Sequence, residues 1–111
     1  MPVTDQERAK TLFVGLGFTE TMDVELQPGF RWIEMAPADS GATISIVQAG
    51  PEAPVGIDTG IRLETPDAAA AHARVSSQGL DVGELLDWDS VPLMFSFLDP
   101  DGNRFYVSET S

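Results

Sequence analysis

Two helix starts stand 62 residues apart, and that repeat constrains the fold more than any other feature. Asp5 is echoed by Asp67 and Gly17 by Gly79, and each helix pattern leads into three strand-like segments. In the first half, Thr4-Asp5-Gln6-Glu7 reads as a T-x-x-E capping box with Thr4 as the N-cap. Ala9, Leu12, Phe13 and Leu16 then fall at helical spacing, and Gly15 and Gly17 supply the stop. Strands are expected over 18–26, 30–36 and 42–48, parted by "QPG" and "PADSG". In the second half, "GIRLET" (60–65) reads as a leading strand. Thr65 is the expected N-cap, with Pro66 at the first helical position, where a missing N–H costs nothing. The alanine-rich helix ends at Gly79, and strands are expected over 80–86, 93–98 and 104–109.

The expectation is therefore an α+β fold of two βαβββ modules, 1–50 and 56–111, in a single domain spanning 1–111. Only Met1, Pro2 and Val3 match the leading strand of module one, so most of it is missing, through a late-assigned start or a tolerated open edge. An open edge invites pairing with another chain.

Charge and composition narrow the function. Eighteen acidic against six basic residues give a net charge of −12, which speaks against nucleic acid, because neutralising phosphate takes basic patches. Such a field draws in cations, although keeping the chain in solution is the simpler use of it. No apolar run has the length of a membrane span and no apolar signal core opens the chain, so a cytoplasmic protein is expected. The absence of cysteine removes disulfides, thiolate metal sites and thiol nucleophiles.

Two aspartates, Asp99 and Asp101, flank Pro100 in "FLDPDGNRFYVSE", where they could ligate a metal or shape a turn. Turn chemistry fits their spacing better. The lone histidine, His72, lies on the second helix and reads as a packing or surface residue, since general-base work needs a positioned partner. Alternation puts Arg104, Tyr106 and Ser108 on one face of the last strand, with Phe105 and Val107 on the other. Arg62 and Glu64 share a face, where they either hold each other or hold a ligand. Trp32 suits a ligand platform, and Trp88, in the polar loop "LLDWDSVP", suits a ligand wall or a dimer contact.

"VTDQERAKTLFVGLGF", "GIRLETPDAAAAHARVSSQGLDV" and "FLDPDGNRFYVSE", in this order and spacing, resemble the vicinal oxygen chelate superfamily. Its members include glyoxalase I, extradiol dioxygenases, and fosfomycin and bleomycin resistance proteins. The resemblance implies curved mixed sheets that enclose a cavity. In metal-dependent members it implies four ligands, a His or Gln on the first strand and a Glu on the last strand of each module. Here the first position has no strand to carry it, and the others fall on Ser45, Gly60 and Tyr106. None of these is the expected ligand, so neither metal nor other cofactor is expected.

The leading expectation is thus a metal-free binding protein similar to the bleomycin resistance proteins, a homodimer that sequesters a cationic or aromatic small molecule. Its candidate ligand-binding residues are Trp32, Ser45, Arg62, Glu64, Trp88 and Tyr106. The alternatives are a lyase- or dioxygenase-like enzyme with a non-standard or absent metal site, in which Tyr106 is the one acid/base candidate, and a regulatory module for a metabolite.

Overall fold

The structure, a computed structural model, describes residues 1–38 and 41–110. The chain divides into two compact units, Met1–Val55 and Gly56–Ser111. Unit one runs β1 (Pro2–Val3), α1 (Gln6–Gly15), β2 (Thr19–Gln27), β3 (Phe30–Ala36) and β4 (Ile44–Gln48). Unit two repeats the order with β5 (Asp58–Thr65), α2 (Ala68–Ser77), β6 (Asp81–Val82), β7 (Met94–Leu98) and β8 (Arg104–Glu109). Each unit carries a four-stranded mixed sheet, ordered β1-β4-β3-β2 in the first and β5-β8-β7-β6 in the second. In each, the first strand lies parallel to the last and the remaining pairs are antiparallel. The expected α+β fold of two βαβββ modules is the fold found. The turn expected at "PADSG" lies partly outside the described residues, since 39 and 40 are not among them.

The helix starts differ from expectation by one residue in α1 and two in α2. Asp5, not Thr4, is the N-cap of α1, and its carboxylate accepts from the Arg8 N–H at 3.0 Å. Asp67, not Thr65, caps α2 in the same way through the Ala70 N–H at 3.0 Å, which leaves Pro66 outside the helix. A carboxylate serves better than a hydroxyl here because its charge also faces the positive end of the helix. Thr65 instead accepts from the Asp67 N–H at 3.3 Å and so shapes the approach to the cap. Glu7 does not close a box; it pairs with Arg31 at 2.6 Å.

Period-two alternation sets what each sheet buries. Ile33 and Met35 of β3 and Ile44 and Ile46 of β4 are buried, as are Ala9 and Phe13 of α1. In the second sheet Phe95, Phe97, Phe105 and Val107 are buried, with Ala68 and Val75 of α2. The rings of Phe97 and Phe105 stack at 5.2 Å, and His72 meets Phe95 edge-on at 5.0 Å. His72 Nε2 is also 2.9 Å from the Gly83 carbonyl, which fits the expected packing role. The strand expected over 80–86 is confined to Asp81–Val82, followed by a single bridge from Leu86 to Met94. Just past it, the Gly83 N–H donates to the Ser96 carbonyl at 2.8 Å, so close an approach that a Cβ at Gly83 would stand 3.3 Å from that oxygen.

A charged knot ties α1 to its sheet. The Asp23 carboxylate accepts from Arg31 Nε at 2.8 Å, Arg31 Nη2 at 2.6 Å and Lys10 Nζ at 2.8 Å. The hydrogen bonds from Arg31 and then Lys10 hold the Asp23 carboxyl well below the usual carboxylate range. A carboxyl depressed in the folded state stabilises the fold above its unfolded value of about 4, and that contribution is lost as pH falls below it. Asp23→Ala is therefore expected to cost about 1–2 kcal/mol at pH 7, a value reduced by the knot's partial exposure to water. Urea melts at pH 7 and pH 3 check this, and the difference between variant and parent should shrink at the lower pH.

Candidate functional site

Each sheet has one face under its helix and one face without a helix. All the candidate residues except Trp88 lie on the helix-free faces, Trp32 and Ser45 in unit one and Arg62, Glu64 and Tyr106 in unit two. In unit one, Trp32 and Glu34 of β3 share that face with Val24 and Met22 of β2, their register partners, and with Ser45, which pairs with Glu34. The Phe30 and Trp32 rings lie nearly parallel, 20° apart in tilt, with centroids 6.2 Å apart. Trp32 Nε1 donates to Glu34 Oε1 at 2.8 Å, which fixes the indole against the strand. Phe30, Met22 and Val24 are all exposed although apolar, while Trp32 and Glu34 are half-buried. Ser45 sits at the inner end of this face, where its carbonyl accepts from the Met1 amino group at 2.7 Å.

In unit two, the corresponding face is polar. Tyr106 stands at its centre, paired in register with Arg62 on one side and Ser96 on the other. The phenol donates to Asp58 Oδ2 at 2.6 Å, and the Arg62 guanidinium carbon lies 5.8 Å from the ring centroid. Asp58 Oδ1 accepts from the Gly60 N–H at 3.1 Å, so both carboxylate oxygens are engaged. Arg104 Nη1 donates to Ser96 Oγ at 3.2 Å. The Tyr106 bond, then that of Gly60, pulls the Asp58 carboxyl down, and the Asp58 bond pushes the Tyr106 phenol up. Tyr106 is thus held protonated, which suits a hydrogen-bonding or stacking residue better than a base.

The alternation expected for β8 holds, with Phe105 and Val107 buried and Tyr106 half-exposed. Arg62 and Glu64 share a face as expected, but both are exposed, and Arg62 lies over Tyr106 instead of pairing with Glu64. Water solvates the two charges there, so nothing compels them to meet. Trp88 is 60% exposed in the loop between β6 and β7, beside Ser90, whose φ is +68°. Asp58 escaped the reading of the sequence. Its only signal is its place four residues before Arg62 on an alternating strand.

Asp99 and Asp101 resolve as turn residues. Asp99 Oδ1 accepts from the N–H groups of Asp101 at 2.9 Å and Asn103 at 2.8 Å, and Gly102 takes a φ of +81° to close the turn. Asn103, fully buried, was not singled out from the sequence. Its Nδ2 donates to Asp99 Oδ2 at 3.0 Å, and its Oδ1 accepts from Gly56 and Ile57, at 3.0 and 3.1 Å.

A family model for the glyoxalase/bleomycin resistance protein/dioxygenase superfamily matches residues 1–107. The chain belongs to this superfamily. Among solved structures, the chain is similar to TnmS3, an antibiotic binding protein from Streptomyces sp. CB03234, with 31% identity and a TM-score of 0.87 over 100% of this chain and 91% of that one. A glyoxalase/bleomycin resistance protein from the same organism gives 32% identity and 0.83, covering 97% and 94%. A superfamily member from Sphaerobacter thermophilus DSM 20745 gives 29% and 0.84, covering 99% and 92%. No curated protein matches the chain.

The metal that many members of this superfamily use does not fit the residues here. Ser45 offers only an uncharged hydroxyl, Gly60 has no side chain and the Tyr106 hydroxyl is hydrogen-bonded to a carboxylate. Among the described residues no group of three His, Cys, Asp or Glu side chains could hold an ion. Asp58 is a lone carboxylate with both oxygens occupied, a poor start for a site that takes several ligands.

Proposed function

We propose that this protein is a metal-free small-molecule binder that holds a flat aromatic ligand without changing it chemically. The observation that carries this reading is the near-parallel Phe30–Trp32 pair on the helix-free face of β3, where Phe30 is exposed with Met22 and Val24 and Trp32 is half-buried. Contiguous apolar area of this kind on a chain of net charge −12 is costly to leave in water, and aromatic platforms recover that cost by stacking. Glu34, on the same face, and the overall negative field favour a cationic substituent at this end of the ligand. Similarity to an antibiotic binding protein across the whole chain supports the class of function. The protein works as a cytoplasmic homodimer in this reading. Exposed Trp88, Val91 and Ile57 supply apolar surface for a second copy, and light scattering tests the assembly.

The test is isothermal titration against a panel of aromatic antibiotics. At least one compound should bind with heat and be recovered unaltered. Trp32→Ala should then weaken binding about 10- to 30-fold, about 1.4–2 kcal/mol, as loss of a stacking anchor does. Trp88→Ala should leave that affinity within about threefold, under 1 kcal/mol. Silence across the panel, or a chemically altered compound after incubation, overturns the reading.

A further inference from the structure

The chain has only six basic side chains, and they are unevenly engaged. Lys10 and Arg31 are tied into the Asp23 knot. Arg62 and Arg104, in contrast, are in no ion pair among the described residues, and both lie on the helix-free face of the second sheet. Tyr106 stands between them, two residues from Arg104 along β8 and opposite Arg62 across β5. Arg104 spends one nitrogen on Ser96 Oγ, and among the described residues the Arg62 guanidinium contacts the Tyr106 ring and makes no ion pair. Most of the ten N–H donors that two guanidiniums carry, about five each, therefore point to no protein acceptor.

We infer that Arg62 and Arg104, on either side of Tyr106, form a binding site for an oxyanion, the carboxylate of an aromatic acid. The inference rests on reading the helix-free faces as ligand-binding surfaces, and it names the charge that the second of them accepts.

Three carboxylates share the neighbourhood. Asp58 faces Arg104 in register and feels its charge, but no hydrogen bond or ion pair joins the two, and its oxygens hold the Tyr106 hydroxyl and the Gly60 N–H. Glu64 pairs in register with Ser108, one row along the strand, about 7 Å from the Arg62 row. Asp81 lies across the sheet opposite Leu98. A carboxylate clasped by a guanidinium sits about 2.8 Å from it, where a charge-assisted, two-pronged bond is strong. Repulsion from exposed carboxylates a row or more away is damped by a screening length of about 8 Å at physiological salt. The local donors therefore outweigh the net charge of −12, which acts at longer range. The Arg62 head group is also preplaced over the phenol, which lowers the ordering cost of clasping a ligand.

Titration with three probes of one shape tests this: 2-naphthoate, 2-naphthamide and 2-naphthylmethylammonium. Two readouts are followed, the side-chain Nε–H resonances of the arginines by NMR and tryptophan fluorescence. Naphthoate is expected to shift the Arg62 and Arg104 resonances, leave that of Arg74 in place, and bind at least tenfold tighter than the amide. The advantage should shrink as salt is raised. Arg62→Gln and Arg104→Gln should each remove most of it, Arg104→Lys should keep part, and Arg74→Gln should keep all. Backbone amide spectra of each variant establish that it is folded. Equal affinity for naphthoate and naphthamide overturns the oxyanion site, as does an advantage that survives both glutamine variants. A tryptophan response to the amide or the ammonium without movement of the two arginine resonances sinks this site and leaves the aromatic platform standing. No response at either readout sinks both.

Discussion

Replacing Asn103 by alanine is expected to destabilise the protein by about 2–4 kcal/mol, the combined cost of stranding several buried polar groups. The side chain is fully buried and acts as a two-sided clamp. One side donates to Asp99 Oδ2 at 3.0 Å, and the other accepts from the Gly56 and Ile57 amides at the approach to β5. Alanine leaves one oxygen of a buried carboxylate short of a donor. It also frees two N–H groups, which water can reach because Gly56 and Ile57 are exposed. Access by water keeps the estimate below the sum of three fully buried losses. Asn103→Asp gives a sharper version, because it keeps the acceptor for the two amides but sets a second carboxyl against Asp99. Like charges in that position should make the variant least stable at neutral pH and relatively better as pH falls. Urea melts at two pH values report both effects as shifts in midpoint at constant slope.

Phe105→Ala is expected to cost more, about 3–5 kcal/mol, as a cavity opens in a core that has little else to fill it. The Phe105 ring is wholly buried, stacked on Phe97, which in turn lies 6.5 Å from Phe95. A domain of this length has about 5–15 kcal/mol of stability in total, so this one change removes a large part of it. Phe105→Leu keeps much of the volume and should lose about 1.5 kcal/mol or less. Thermal and urea unfolding of the pair separates the value of the volume from that of the ring stack.

Local signals were legible in the sequence and long-range ones were not. The strand bounds over 30–36 and 104–109 are those expected, because Ile33 and Met35, and Phe105 and Val107, recur every second residue after the turn residues Pro28-Gly29 and Gly102-Asn103. Both caps were misplaced although the repeat itself marked Asp5 and Asp67 as equivalent. A threonine preceding an aspartate offers two plausible caps, and the charged one prevails. Arg62 and Tyr106 were legible as neighbours of one face. The partners that define that face were not, since Asp58 and Tyr106 are 48 residues apart and Asn103 reaches back 46 and 47 residues to Ile57 and Gly56. No period or spacing within a segment carries such a bond. The Phe30–Trp32 platform is half visible in the sequence, where Trp32 stands out as a large aromatic and Phe30 marks the start of a strand.

The two capped halves share a backbone plan while their helix-free faces have parted in chemistry, one aromatic and acidic, the other basic and phenolic. Aspartate caps and phenylalanine or isoleucine interiors carry the folding, so the outward residues of β3, β5 and β8 are released from that duty. If the chain captures a ligand as proposed, selection can retune that capture one outward side chain at a time, with little loss of stability at each step. A duplicated scaffold of this kind is well suited to keeping pace with ligands whose structures change faster than the proteins that must recognise them.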